Sequence, residues 1–186
     1  MFGLASMINH DCSANARVIF DANKDLHLVA KTDIPKFTEI TITYCNPILG
    51  TPERQQILLK NKLFRCRCKR CQDPTECNSF IYALLCPKCK DYVVPKWSDK
   101  TQEFDYKCRK CPFSTTQTKV EKLTDAISAA QKRLLEAKNV RVLRLEELLA
   151  KHLKVLPATH SLILGFKSEI STHLATKRSL ETIDKR

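Results

Sequence analysis

The spacing of the cysteines constrains this chain more than any other feature of its sequence. Cys86 and Cys89 are separated by two residues, as are Cys108 and Cys111, and 18 residues lie between the pairs. Two such pairs bring four thiolates to one tetrahedral zinc ion, and four thiolates leave no open position for a catalytic water. The sequence therefore predicts a closed structural zinc site, with a hairpin formed by residues 91–107 between the pairs.

An earlier group of cysteines supplies only three ligands where a closed zinc site needs four. These ligands are Cys66, Cys68 and Cys71. The candidates for the missing ligand are Cys12, Cys45, Cys77 and His10. Proximity along the chain favours Cys77, and spacing alone does not select Cys12. A trinuclear thiolate cluster and an iron–sulfur site are the alternatives, but the chain shows no second ligand set with the usual spacing.

Composition limits the compartment and the partners. The 10 cysteines indicate metal ligands in a reducing environment rather than disulfides, because the first residues, MFGLASMINH, do not resemble a secretory signal. No apolar run is long enough to span a membrane, so we expect a protein of the cytoplasm or nucleus without a membrane partner. The net charge is +12, but its basic residues are scattered or interleaved with metal ligands, so nucleic acid is not an expected partner.

Hydrophobic periodicity predicts an α+β fold in three parts. Within residues 1–64, the segments ARVIFD, LHLVAK and EITITY alternate as strands do, and Thr51 and Pro52 predict the cap and first residue of a short helix. Residues 65–112 form a cysteine-rich segment that metal would hold together. Residues 113–186 show helical periodicity with a break at Pro157, and predict antiparallel helices of the tetratricopeptide type.

Three motifs resemble those of a known family. NHDCSAN resembles the NHSCxPN motif of SET domains, FTEITITY resembles the later SET strand that ends in a tyrosine, and FRCRCKRC resembles the post-SET cysteine motif. Their order is also that of the family. The chain thus resembles the SET and MYND family of protein-lysine methyltransferases, in particular the insect branch with an added pair of C-x2-C knuckles. Residues 156–175, LPATHSLILGFKSEISTHLA, resemble the helical C-terminal domain of that family.

The resemblance implies a role for individual residues. The cysteine of the NHSC motif is the fourth post-SET ligand in the family, which implies one zinc ion held by Cys12 together with the three later cysteines, and two zinc ions per chain. Asn9 and His10 are implied to contact S-adenosylmethionine, Phe64 to lie near its adenine, and Tyr44 to be the active-site tyrosine.

The implied activity is transfer of a methyl group from S-adenosylmethionine to a lysine of a histone or another protein. Such a displacement requires aligned reactants and exclusion of water rather than a strong base. The implied partners are accordingly a protein substrate or a partner peptide.

Several features depart from the family pattern. Asp11 and Ala14 replace the usual serine and proline, and Lys62 stands where many active relatives carry an aromatic residue. The family's cofactor strand and MYND module do not precede Met1. We therefore expect the C-terminal portion of a methyltransferase that is inactive as this truncated chain. The alternative is a non-enzymatic, zinc-dependent protein-interaction module.

Overall fold

A computed structural model describes residues 3–136 and 142–183, with side chains for residues 3–136 and 143–175. The chain divides into two compact units, Met1–Cys77 and Asn78–Arg186. Each unit contains one of the two cysteine groups.

The first unit is built on short strands. Strands β2 (Ala16–Phe20) and β3 (Leu26–Ala30) form an antiparallel hairpin, and β1 (Asn9–His10) pairs in parallel with β4 (Thr41–Ile42). The parallel pair places Asn9 opposite Thr41. Residues 32 positions apart in the chain therefore lie side by side, which is the arrangement that brings His10 close to Tyr44.

Helix α1 (Thr51–Lys62) begins one residue earlier than the sequence predicts. Gly50 is its N-cap, and the carboxylate of Glu53 accepts a hydrogen bond from the backbone N–H of Gly50 at 2.9 Å. The prediction of Thr51 as the cap is wrong, because Glu53 satisfies the free N–H of residue 50. The helix ends at Lys62, and its C-cap Leu63 adopts a left-handed conformation with φ 59° and is exposed. A short helix, α2 (Lys69–Gln72), follows among the cysteines.

The second unit contains a four-stranded antiparallel sheet in the order β5-β6-β7-β8. The strands are β5 (Leu84–Leu85), β6 (Tyr92–Ser98), β7 (Glu103–Cys108) and β8 (Ser114–Thr116). The predicted hairpin is confirmed as β6 and β7, which pair from Val93 opposite Cys108 to Ser98 opposite Glu103. Alternation buries one face, because Val93, Phe104 and Tyr106 point into the core while Asp105 is exposed.

Three helices pack with this sheet. They are α3 (Gln117–Leu135), α4 (Val142–His152) and α5 (Ser161–Ile183). Val120 and Ile127 of α3 join Ile163 and Phe166 of α5 in the same core as the sheet residues. Leu123, which shares a helical face with Ile127 four residues later, is 36% exposed. The break between α4 and α5 lies at Pro157, as predicted.

The α+β class predicted from the sequence is confirmed. The three-part division at residues 64 and 112 stays a prediction. None of the described helices has both the length and the apolar character needed to cross a membrane.

Candidate functional site

Four cysteine sulfurs converge in the first unit. Cys12, Cys66, Cys68 and Cys71 place their sulfurs within 4.8 Å of one another, with 3.4 Å between those of Cys12 and Cys71. Four sulfurs bound to one zinc ion at about 2.3 Å are separated by roughly 3.8 Å in tetrahedral geometry. We name these residues the first thiolate cluster; their donor set and spacing fit a tetrahedral zinc ion.

The other candidates for the fourth ligand lie outside this cluster. Cys77, which chain proximity favours, is exposed, and its backbone N–H donates to the carboxylate of Asp73 at 2.8 Å. Cys45 is half-buried and packs beside the cluster without joining its four sulfurs. The structure thus brings Cys12 to the later cysteines across more than fifty residues, as the family resemblance implies.

A buried arginine supports the first thiolate cluster. Arg54 is 0% exposed, its Nε donates to the sulfur of Cys12 at 3.2 Å, and one Nη lies 3.6 Å from the sulfur of Cys71. Burial lowers the pKa of Arg54, but the carboxylate of Glu76 and the sulfurs of Cys71 and Cys12 together outweigh it, so the pKa lies above its ordinary value. The guanidinium therefore stays charged and offsets part of the negative charge of the thiolates.

Glu76 balances this arginine from the other side. One of its carboxylate oxygens accepts from Arg54 at 2.7 Å and from Nε of Arg70 at 3.0 Å, and the other accepts from the backbone N–H of Thr51. The carboxylate is thus shared by two arginines and the start of α1. This network ties α1 to the segment that follows the cysteines.

The side chain of Gln55 fixes the first of the late cysteines. Its Nε2 donates to the carbonyl oxygen of Cys66 at 2.7 Å, and its Oε1 accepts from the N–H of Cys66 at 3.0 Å. Arg54, Gln55 and Glu76 were not predicted from the sequence as site residues. The available signal was helical spacing. Residues 51, 54, 55 and 58 lie on one face of α1, and this face is buried although only Leu58 among them is apolar.

Mutual hydrogen bonding shifts the ionisation of the clustered thiols. It raises the pKa of the Cys12 thiol, chiefly through Cys66, and lowers that of Cys71 to about 7, chiefly through Cys12. Thiols this close resist joint ionisation until a cation is present to hold the charge. The site is therefore suited to exchange its protons for a metal ion.

The second unit contains the second thiolate cluster, formed by Cys86, Cys89, Cys108 and Cys111. The sulfurs of Cys86 and Cys111 are 3.5 Å apart, and those of Cys89 and Cys108 are 3.4 Å apart. Burial raises the pKa of the Cys86 thiol, but the backbone N–H groups of Cys89 and Lys88 outweigh it and bring the pKa to about 6. This donor set also fits a tetrahedral zinc ion.

An open hollow of about 590 Å³ lies in the first unit. It is lined by Ser6, Asn9, His10, Glu39, Tyr44, Lys62 and Phe64. The four residues that the family resemblance assigns to the cofactor and the reaction are therefore all brought to one hollow. Its wall offers an aromatic ring, an amide and a carboxylate, groups that suit a nucleoside carrying a cationic chain.

His10 connects this hollow to the first thiolate cluster. Its Nδ1 accepts from the backbone N–H of Tyr44 at 3.0 Å, and its Nε2 lies 3.3 Å from the sulfur of Cys12. Burial lowers the pKa of His10 and favours the neutral ring, which carries its proton on Nε2 because Nδ1 is the acceptor. The imidazole then donates to the Cys12 sulfur, so the metal ligand and the tyrosine backbone hold one ring.

Tyr44 lies two residues beyond the end of β4 rather than in the strand. Its hydroxyl donates to the carbonyl oxygen of Ile8, and its ring centre lies 5.1 Å from that of His10. The ring of Phe64 is centred 6.0 Å from His10, so His10 lies close to both aromatic residues.

Two further polar groups of the hollow are Asn9 and Lys62. The side chain of Asn9 donates to a carboxylate oxygen of Glu39 at 2.6 Å. The ammonium of Lys62 lies 5.1 Å from the centre of the Tyr44 ring. The lysine thus lies against the tyrosine face, where a cation is attracted to the ring.

Comparison with known proteins shows what the first unit is similar to. Residues 1–45 match the SET domain. The chain is 34% identical over 127 residues to the SET domain-containing protein SmydA-8, isoform B, of Drosophila melanogaster, covering 67% of this chain and 28% of the fly protein. The chain resembles the SET and MYND domain proteins. This confirms the resemblance predicted from the sequence, and Met1–Cys77 is called the SET-like unit below.

Other relatives extend the comparison. A SET and MYND domain-containing protein of Dictyostelium discoideum is 37% identical over 71 residues, which cover 38% of this chain and 21% of that protein. The histone-lysine N-methyltransferase ASHR1 of Arabidopsis thaliana is 29% identical over 140 residues, 72% of this chain and 28% of the plant protein. The chain spans little more than a quarter of the fly and plant relatives.

Proposed function

We propose that the SET-like unit forms part of the active site of a protein-lysine methyltransferase. The observation that carries the proposal is the meeting of Asn9, His10, Tyr44 and Phe64 around one hollow beside the first thiolate cluster. Histone-lysine methyltransferases among the relatives support protein lysines, including those of histones, as the substrate class. They also support the cytoplasm or nucleus as the site of action.

In this proposal, S-adenosylmethionine is the methyl donor, and the hollow binds it. Asn9 supplies a side-chain amide, β1 supplies backbone groups at His10, and Phe64 supplies a ring surface for the adenine. The bound cofactor supplies an electrophilic methyl group on a sulfonium. The hydroxyl of Tyr44 orients the attacking amine, which must be neutral to act as a nucleophile.

The two thiolate clusters have a structural role in the proposal, each holding one zinc ion. The first ion fixes Cys12 and, through the His10 ring, the backbone of Tyr44. The second holds the knuckles at the ends of β6 and β7. Neither ion takes part in methyl transfer, because four thiolates fill its coordination sphere.

Lys62 tunes this site in two opposing ways. A cation beside the tyrosine disfavours a second cation nearby, so it weakens binding of a protonated lysine. The same effect lowers the pKa of an incoming lysine amine and favours its neutral, reactive form. Replacing Lys62 with phenylalanine therefore tightens binding of a lysine peptide.

Binding of the cofactor is tested by nuclear magnetic resonance. Titration of the ¹⁵N-labelled, zinc-loaded chain with S-adenosylmethionine into the millimolar range is expected to shift the side-chain amide of Asn9 and the backbone signals of residues 8–10 and 64. Phe64→Ala weakens the interaction about tenfold. Phe37→Ala, at an exposed phenylalanine outside the hollow, leaves it unchanged. Shifts confined to other residues would contradict the assignment of the hollow.

Methyl transfer is tested separately with labelled S-adenosylmethionine, core histones and the full zinc-loaded chain. Tyr44→Phe is expected to lower transfer by roughly a hundredfold, because the amine loses its orienting hydroxyl. Cofactor binding stays within twofold in the same variant. Equal transfer by the wild type and Tyr44→Phe would remove Tyr44 from the reaction.

Lys62 also supports a second function, that of a non-enzymatic, zinc-dependent interaction module. Its ammonium lies at the face of the tyrosine that the reaction uses. In that case the chain captures a histone-tail peptide with equal affinity in the wild type and in Tyr44→Phe, and cofactor neither binds nor changes that affinity. Peptide binding that depends on S-adenosylmethionine would instead support the methyltransferase.

A further inference from the structure

The end of the sheet at the second thiolate cluster is strongly basic. Four cationic side chains stand in the two knuckle loops or directly after them, and all four are exposed. They are Lys88, Lys90, Arg109 and Lys110. Among the described residues, no carboxylate lies within 4.0 Å of any of these four charges. The cations are thus available to a ligand in solution; we name them the knuckle cations.

The negative groups at this end are fewer and less exposed. Asp91 is half-buried, and one of its carboxylate oxygens accepts from the backbone N–H of Tyr92 at 2.6 Å. The sulfur ligands are buried or half-buried, with Cys86 at 0% exposure. A zinc ion with four thiolates has a net charge of −2, so the knuckle cations exceed the negative charge, and they lie at the surface.

Planar side chains accompany these charges. The rings of Phe80 and Tyr92 stack with their centres 4.1 Å apart and an interplanar angle of 11°. The guanidinium of Arg109 lies 5.2 Å from the centre of the Phe80 ring, and its backbone N–H donates to the carbonyl oxygen of Tyr92 at 3.0 Å. Both rings are half-buried and so keep part of their surface in solvent. The fold therefore joins aromatic and basic groups that are dispersed along the sequence.

The other end of the same hairpin differs in charge. Lys96 and Lys100 are accompanied there by three acidic residues, Asp99, Glu103 and Asp105. Positive charge is therefore concentrated at the knuckles rather than spread over the hairpin. The balanced end provides a matched control within the same element.

The geometry points to single-stranded nucleic acid as the ligand of the knuckle end. Phosphates would pair with the knuckle cations, and a base would stack on the surface of Phe80, Tyr92 and Arg109. Proteins that bind single strands without sequence preference combine these two features. This site is independent of the proposed methyl transfer, because it uses none of the residues of the hollow.

Fluorescence anisotropy with labelled 15-nucleotide oligo-dT and oligo-U tests the proposal on the full zinc-loaded chain. Lys88→Glu/Lys110→Glu is expected to weaken binding at least tenfold. Loss of two phosphate contacts also makes the slope of log K against log salt concentration shallower by about 1.4. Tyr92→Leu weakens binding several-fold and leaves the slope unchanged, because stacking is not an ionic contact.

The matched control is Lys96→Glu/Lys100→Glu, which changes the net charge equally at the other end of the hairpin. It is expected to change affinity less than twofold. Equal loss in the two double variants would overturn the proposal, because a chain of net charge +12 would then bind through its charge alone. Equal affinity for a 15-base-pair duplex, or binding to anionic lipid vesicles without binding to the oligonucleotides, would also overturn it. Zinc content and the fluorescence of Trp97 show whether each variant is folded.

Discussion

Individual buried polar residues hold the first thiolate cluster in place. Arg54 donates to two of the cysteine sulfurs and to Glu76 while it is itself removed from solvent. Such a residue is invisible to hydrophobic patterning, because its sequence neighbours are polar and its burial depends on partners distant in the chain. Cys12 could be predicted as a ligand only through the family motif, since its distance along the chain from the later cysteines does not indicate that it joins them.

Arg54→Met is expected to destabilise the SET-like unit by about 3 kcal/mol, because it leaves the buried carboxylate of Glu76 with only one of its two arginine partners. Hydrogen exchange of the α1 amides in the zinc-loaded protein measures the change. Arg67→Met, at an exposed arginine between two cysteines, is the control and stays within about 0.5 kcal/mol. Adding Glu76→Gln to Arg54→Met is expected to restore part of the lost stability. Equal exchange rates in Arg54→Met and Arg67→Met would contradict a stabilising role for Arg54.

His160 makes the stability of the second unit depend on pH. Its side chain is fully buried against the ring of Tyr82, and burial lowers its pKa to about 4. Below pH 6.5, His160 is protonated in the unfolded chain, whereas in the folded unit it stays neutral until the pH falls to about 4. Stability therefore falls as the pH drops through this window, by about 3 kcal/mol at most.

Urea unfolding followed by the fluorescence of Trp97, in the second unit, measures this effect. His160→Gln removes the proton uptake, so the pH dependence of the variant is flatter than that of the wild type between pH 6.5 and pH 4. His27→Gln, in the first unit, is expected to leave the pH dependence of the unfolding free energy as in the wild type. A parallel pH dependence in the wild type and His160→Gln would show that other groups, such as the thiolates, account for all of it.

At the scale of elements, patterning located most of the fold. The segments that alternate became β2 and β3, the residues between the knuckles became β6 and β7, and the helical periods became α3, α4 and α5. The errors lie at ends and edges. The third alternating segment forms only the two residues of β4, because its partner β1 is equally short and Tyr44 turns away to meet His10. Leu63 is apolar but ends its helix in solvent.

The β6–β7 hairpin is expected to depend on a zinc ion at the second thiolate cluster as well as on its core. Cys89→Ser removes one ligand of the second thiolate cluster, so zinc content falls from two ions to one and the fluorescence of Trp97 shifts to longer wavelength. Trp97 reports on the hairpin because it packs edge-on against Phe104 with 5.2 Å between ring centres. Cys45→Ser, outside both clusters, keeps two ions. An unchanged zinc content in Cys89→Ser would remove this residue from the ligand set.

For the whole molecule, the structure places two thiolate clusters in two units, one beside a hollow and one beneath a basic surface. The first cluster matters most for the proposed chemistry. Through Cys12 and His10 it determines where Tyr44 lies relative to Asn9 and Phe64. Loss of the zinc ion at the first thiolate cluster is therefore expected to displace the residues that line the hollow, while the second unit keeps its fold.

The most direct test is the zinc content of the purified chain, measured by mass spectrometry of the intact protein under native conditions. The wild type and Cys77→Ser are expected to hold two ions, whereas Cys12→Ser holds one and retains the native fluorescence of Trp97. Retention of two ions by Cys12→Ser, with loss of one by Cys77→Ser, would contradict the account, because the late cysteines would then take their fourth ligand from their own segment.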